Sequence, residues 1–191
     1  MSLEEVKEVV APTPFKGYLP KGEKNPMRRI IIDKVVVNMA VGQSGERLAR
    51  AARVLEELTG QRPCPRKAKR TIKEFGIRKG ENIAVIVTLR GRKAYEFLDK
   101  AFEAVGRTLK ASSIDRFGNF SFGISEHIQI PGTRYDPEVG IFGMDVCVSL
   151  ARPGFRIMRR KRKRSYVAPW HRVSKEEAIE FLERVFNVKV V

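Results

Sequence analysis

The chain has 191 residues, enough for one globular domain with or without a tail, and its 42% hydrophobic and 31% charged content excludes disorder by composition. Lys and Arg number 38 against 22 Asp and Glu, a formal net charge of +16, and a chain that repels itself so strongly works beside a polyanion, nucleic acid first and a membrane surface second. No run approaches the roughly 18 apolar residues of a membrane span, and MSLEEVKEVV lacks the basic start of a secretory signal, so the expected place is the cytosol, with Cys64 and Cys147 as reduced thiols without zinc-site spacing.

Residues 1–27 carry Pro12, Pro14, Pro20 and Pro26 and read as an extended tail before a single domain over 28–191. From Arg28 to Val41 the composition is that of a β-strand. Val35, Val37, Met39 and Val41 share one face, while Val36, Asn38 and Ala40 share the other. After Gly42, Ser44 or Gly45 caps a helix whose apolar positions Leu48, Ala51, Ala52, Leu55 and Leu58 recur every three or four residues, and Gly60 ends it in the left-handed conformation. The Gly42–Gly45 turn is either a phosphate cradle of free amides or a tight turn without ligand; there is no GK[ST] to make it a nucleotide loop.

A proline-bounded basic loop over 65–80 follows. Arg66, Lys67, Lys69, Arg70, Lys73, Arg78 and Lys79 fall within fourteen residues that contain one acid, Glu74, a composition built to meet an anion. Phe75 is placed either to stack on a nucleic-acid base or to pack on the stem of its own loop. Ile83–Arg90 is a second strand, with Ile83, Val85, Val87 and Leu89 on one side and Ala84, Ile86, Thr88 and Arg90 on the other. Arg92–Lys110 is a helix carrying Tyr95, Leu98, Ala101, Phe102, Val105 and Leu109 on one stripe, with Gly106 a weak point near its end.

From Ser112 to Gly143 the chain is turn-rich and aromatic, which predicts short strands and loops. Gly143–Ala151 alternates again, Met144, Val146, Val148 and Leu150 against Asp145, Cys147 and Ser149. A basic insertion over 152–173 contains six consecutive bases, Arg159, Arg160, Lys161, Arg162, Lys163 and Arg164, a density of like charge that holds no helix without a partner. Ser174 and Glu177 form a capping box that opens a last helix with Ala178, Ile179, Leu182, Val185 and Phe186 buried.

Strands apolar on one face, interleaved with amphipathic helices, describe an α+β fold: an antiparallel sheet with helices packed on one side. The other face is open and displays Asn38, Thr88, Arg90, Asp145 and Ser149, groups suited to ribose hydroxyls and phosphates. Catalysis finds no support. His127 and His171 are far apart and read as surface or capping residues, GxSxG, HExxH and paired carboxylates are absent, and no metal site or cofactor is expected.

An ordered set of stretches carries a resemblance: NPMRRI at Asn25, VVVNMAVGQSGERL at Val35, LTGQRP at Leu58, KAKRTIKEFGIRKGE at Lys67, VTLRG at Val87, GNFSFGISEHI at Gly118, YDPEVGIFGMD at Tyr135, RPGF at Arg152 and HRVSKEEA at His171. Together they span Asn25 to Ala178, and the chain resembles the universal large-subunit ribosomal protein five family, which binds 5S ribosomal RNA. The resemblance implies a layout like an RNA-recognition domain, cytoplasmic ribosomes as its place, and a structural role in the central protuberance. It implies 5S RNA contacts at Asn38, Gln61 and Thr88, with Arg62 beside Gln61 in LTGQRP among the expected contacts, and charge adds Arg90 and Arg92. The family's long loop, here Pro65–Gly80, reaches toward peptidyl-site tRNA, with Arg66, Lys67, Lys69, Arg70, Lys73, Phe75, Arg78 and Lys79 as the contacting residues. Turn-rich parts of 112–143 would face a small-subunit head protein across an intersubunit bridge, and other 5S-binding ribosomal proteins would be neighbours. The insertion containing Arg159–Arg164 looks like the archaeal and eukaryotic branch, with large-subunit ribosomal RNA as its expected partner. A free-standing RNA-binding regulator is the alternative.

Overall fold

The computed structural model describes residues 17–20, 23–133 and 140–191. Most of the expected extended tail and the YDPEV part of the turn-rich segment lie outside the described residues. Where the tail is described, it is docked: Tyr18 exchanges backbone hydrogen bonds with Ile30 at 2.9 and 2.7 Å, and its ring packs edge-on to Phe181 at 6.0 Å.

Five antiparallel strands form one sheet in the order β2-β3-β1-β6-β5, namely β1 Ile31–Ala40, β2 Cys64–Lys67, β3 Asn82–Leu89, β5 Phe120–Ile124 and β6 Met144–Ala151. The three long strands are where the period-two alternation predicts them. Val35, Val37 and Met39 are buried on the inner face together with Val85, Val87, Val146 and Val148. Branched side chains suit this half-buried pleated surface, and one face can be left to solvent because the sheet is antiparallel. β2 has no counterpart among the sequence-derived elements. CPRK shows no alternation and carries a proline, a residue tolerated only at an edge, and β2 is an edge strand.

The inner face is covered by α1 Glu46–Thr59, α2 Arg92–Ala104 and α4 Lys175–Phe186. In α1, Leu48, Ala51, Val54 and Leu55 point inward, and Gly60 stops the helix at φ 59°, as its position predicts. In α4, Ser174 and Glu177 form the expected capping box, and Ala178, Phe181, Leu182 and Phe186 are buried. Phe102 joins the helices to the sheet, its ring 6.1 Å from Phe120, 5.2 Å from Phe122 and 5.1 Å from Phe186.

Two expectations need correction. The second helix ends at Ala104 rather than Lys110, because Gly106 and Arg107 both take positive φ, 70° and 51°. Thr108–Leu109 then becomes β4, paired in parallel with β7, Lys189–Val190. Arg107 holds this corner by donating to the Phe186 carbonyl at 2.6 Å and to Asp99 at 3.1 Å. His127, expected as a surface or capping residue, is not at the surface but buried; its Nδ1 accepts the Phe142 amide at 3.2 Å, and burial pushes its pKa down. His171 is half-buried, with Nε2 2.9 Å from the Pro153 carbonyl.

Candidate nucleic-acid interface

On the open face the strand registers fix which side chains stand beside which. One row across the sheet runs Cys64, Ile86, Asn38, Asp145, Gly123, and the next runs Thr88, Val36, Cys147, Ser121. Thr88, Cys147, Asp145, Ser121 and Gly123 are exposed, and Asn38 is half-buried between Ile86 and Asp145. These are short side chains, so the face is shallow and lets a polymer backbone approach the sheet closely. Ser149, also on this face, spends its hydroxyl on Asn119 at 3.0 Å.

Asn38, Gln61 and Thr88 come together. Thr88 stands diagonal to Asn38 on the neighbouring strand, a separation of about 7–8 Å. Gln61, just beyond the end of α1, donates Nε2 to the Thr88 carbonyl at 3.2 Å. Arg62 is exposed next to it, at the rim of a cleft of about 440 Å³ that also takes in Ser44, Pro63, Pro65 and Asn82. Arg90, two residues beyond Thr88, and Arg92, the first residue of α2, have acids at their heads. Arg90 donates to the Asp33 carbonyl at 2.9 Å and its carboxylate at 3.1 Å, while Arg92 pairs with Glu96 one helical turn on, at 2.6 Å.

The basic loop over 65–80 is a built hairpin. Arg66 pairs across Ala84 and Lys67 across Asn82. Above them, Ala68 donates to Glu81 at 2.8 Å and Gly80 to Ala68 at 2.9 Å. Higher still, Ile72 and Ile77 exchange hydrogen bonds at 2.9 and 3.1 Å, and the Lys79 amide donates to the Thr71 hydroxyl at 3.0 Å. Gly76, at φ 66°, makes the tip turn. Phe75 stands there 71% exposed, so of its two expected placements the one packed on the stem does not occur. Arg66, Lys67, Lys69, Arg70, Lys73, Arg78 and Lys79 are all exposed, and none has an ion-pair partner among the described residues.

Glu81 anchors the hairpin. Its carboxylate accepts the Ser44 hydroxyl at 2.5 Å and the Arg78 amide at 3.1 Å, and these bonds, Ser44 first, hold it below the usual carboxylate range. Ser44 therefore does not cap α1; Gly45 stands at the cap. With this carboxylate beside it, and with the Val41 and Gly42 amides already bound to the Ile83 carbonyl, the Gly42–Gly45 turn is a tight turn and a poor phosphate cradle.

The second cationic segment follows β6. Arg152 is buried and paired with Glu177. Arg156–Arg159 form a one-turn helix, α3, so the first of the six bases is helical after all, and the partner that makes this possible is Asp33. Arg160, Lys161, Arg162, Lys163 and Arg164 continue outward, all exposed. The sequence signal for Asp33 is faint, a lone acid in the run IIDKVVV. The structure explains it through a register shift between Ile32 and Lys34, where Asp33 meets Arg90 from beyond β3 and Arg159 from beyond β6.

The layout has known relatives. The family model of ribosomal protein L5 matches residues 25–78, and the model of the C-terminus of the same ribosomal family matches residues 82–181. The large ribosomal subunit protein uL5 of Sulfurisphaera tokodaii is 61% identical over 168 residues, covering 87% of this chain and 95% of the relative. That of Aeropyrum pernix is 55% identical over the full length of both chains, and that of Pyrobaculum aerophilum is 57% identical over 87% of this chain and 93% of its own. An α+β sheet with one open face, matched by both halves of one family and by full-length relatives, leaves one assignment: the chain belongs to the ribosomal protein L5 family.

Proposed function

We propose that this chain is a structural, non-catalytic protein of the large ribosomal subunit in the cytoplasm, where it binds 5S ribosomal RNA across the open face of its sheet. The observation that carries the proposal is a shallow polar face, centred on Asn38 and Thr88, lying between two exposed cationic projections. RNA helices are recognised largely by shape, through contacts to 2′-hydroxyls and phosphates. Short amides and hydroxyls on a sheet meet that need, with Gln61 and Arg62 at the margin and Arg90 and Arg92 reaching phosphate by exchanging their present acid partners.

The hairpin is the part assigned to peptidyl-site tRNA. It is rigid at its base, cationic along its sides and aromatic at Phe75, a design for reaching a distant backbone rather than gripping a near one. The segment Arg159–Arg164 takes large-subunit ribosomal RNA, and the turns within 112–143 face a small-subunit head protein, with other 5S-binding proteins alongside.

The test is a titration of the purified chain with 5S RNA and an unrelated structured RNA at 50 and 200 mM salt, together with co-sedimentation on a sucrose gradient. Preferential 5S binding and migration with large subunits are expected. Neutralising about five phosphates predicts a loss of several hundredfold in affinity over that salt range. Binding to 5S RNA with persistent absence from the large-subunit fraction would make the chain a free-standing regulator instead.

A further inference from the structure

Away from the sheet and the hairpin, residues 152–173 form a loop whose ends meet. The His171 ring lies 2.9 Å from the Pro153 carbonyl and 6.2 Å from the Phe155 ring, and the Ser165 amide donates to Ile157 at 3.1 Å. Val167 is buried, Pro169–His171 is a 3-10 turn, and the Trp170 carbonyl accepts from Arg28 at 2.8 Å. The backbone around Tyr166 and Trp170 is thus held in place, yet their side chains face outward, 92% and 77% exposed. Neither ring contacts another aromatic ring among the described residues.

Two large rings held in water by an ordered backbone forgo the burial that aromatic side chains ordinarily find. Tyr166 follows Arg164 by two residues and Trp170 by six, in a loop that contains no acidic residue from 152 to 173. Cations recognise phosphate without regard to sequence, and exposed aromatic rings offer stacking platforms to any base whose face is free. Bases inside a duplex are already stacked on each other, so these rings suit unpaired nucleotides in a loop, bulge or strand end. We propose that Tyr166 and Trp170 form a stacking site for unpaired RNA bases, with the Arg160–Arg164 run holding the adjoining phosphates. The proposal rests on the ribosomal RNA reading above and adds to it a site separate from the sheet face.

Trp170 is the single tryptophan of the chain, so its emission reports on this site alone. The full chain is titrated with a short unstructured oligoribonucleotide, a fully paired RNA duplex of the same length, and polyglutamate, following Trp170 emission and, in parallel, the anisotropy of end-labelled RNA. The unpaired RNA is expected to bind and quench Trp170, while the duplex binds without quenching it. Tyr166→Ala and Trp170→Ala are each expected to weaken unpaired-RNA binding about 5- to 100-fold without changing the salt slope, and Trp170→Phe to restore most of the loss. Neutralising Arg160, Lys161 and Arg162 should reduce the slope instead. Unpaired RNA that binds with Trp170 unquenched, equal quenching by the duplex, or stronger quenching by polyglutamate would each overturn the stacking site and leave the sheet-face proposal standing. No binding of any RNA would remove both.

Discussion

Arg159 closes on Asp33 as a two-pronged ion pair, Nη1 to Oδ1 at 2.7 Å and Nη2 to Oδ2 at 2.6 Å. The Asp33 carboxylate is largely shielded, its side chain 12% exposed, and also accepts from Arg90. A single acid on the first strand therefore fixes where the second cationic segment leaves the sheet. Removing one member of a partly buried, charge-assisted pair costs more than a surface ion pair but less than a fully buried one. Asp33→Asn should lower stability by about 1–2 kcal/mol, or roughly 2–8 °C in Tm for a chain of this size, and should accelerate tryptic cleavage within 159–164. A thermal melt and a timed digest check both.

The same pair sets a pH dependence. Burial raises the Asp33 carboxyl, but Arg159 and Arg90 together outweigh it and hold the group below its ordinary value. A carboxyl depressed in the folded state stabilises fully above its unfolded pKa of about 3.9 and loses that contribution as pH falls through the folded value. The Tm difference between the native chain and Asp33→Asn should be constant from pH 7 to about pH 5 and shrink below about pH 4. A gap that persists into acid would mean that packing, not charge, makes the difference.

Asn38→Ala and Thr88→Ala remove polar groups from the open face without touching the core. Each should weaken 5S RNA binding about fivefold, the worth of one hydrogen bond of about 1 kcal/mol, with Tm changed by no more than about 2 °C. Filter binding and a melt on the same preparations separate the two effects. Equal loss of fold would remove these residues from the proposed face.

The hairpin predicts a separation of roles. Neutralising Lys67, Lys69, Arg70, Lys73, Arg78 and Lys79 should leave 5S RNA binding within about twofold and impair tRNA-dependent steps on assembled ribosomes. Glu81→Ala, which releases Ser44 and the Arg78 amide together, should speed hydrogen exchange at Arg78 while the Ala68 and Gly80 amides stay protected by the Glu81 and Ala68 backbone carbonyls. Loss of 5S binding in the neutralised hairpin would put the RNA contact on the wrong surface.

Period-two alternation in VVVNMAV, IAVIVTL and MDVCVSL is enough to place three strands and say which face is open, because burial on one side leaves its mark on every second residue. The capping box at Ser174 and the glycine at position 60 likewise mark their helix ends through local chemistry. The β4–β7 pair is different. Thr108–Leu109 continues the helical stripe of α2, and only the C-terminal strand, brought in from the far end of the chain, turns those residues into a ladder. Cations show in a sequence, but their partners do not. Asp33 with Arg159, Glu81 with Ser44 and Glu177 with Arg152 are pairings between distant positions, and composition alone leaves every arginine equally free.

β1 lies in the middle of the sheet between β3, the next long strand in the chain, and β6, which arrives only near residue 151. Asn38 thus gains its Ile86 neighbour early in synthesis and its Asp145 neighbour late. A nascent chain that has emerged only as far as α2 presents half of the open face, with an unpaired strand edge where β6 belongs, and such edges recruit other chains. The timing of β6 therefore divides this protein's birth into two stages: an earlier one in which β1 needs protection from other strands, and a later one in which both of its edges are paired and the open face is whole.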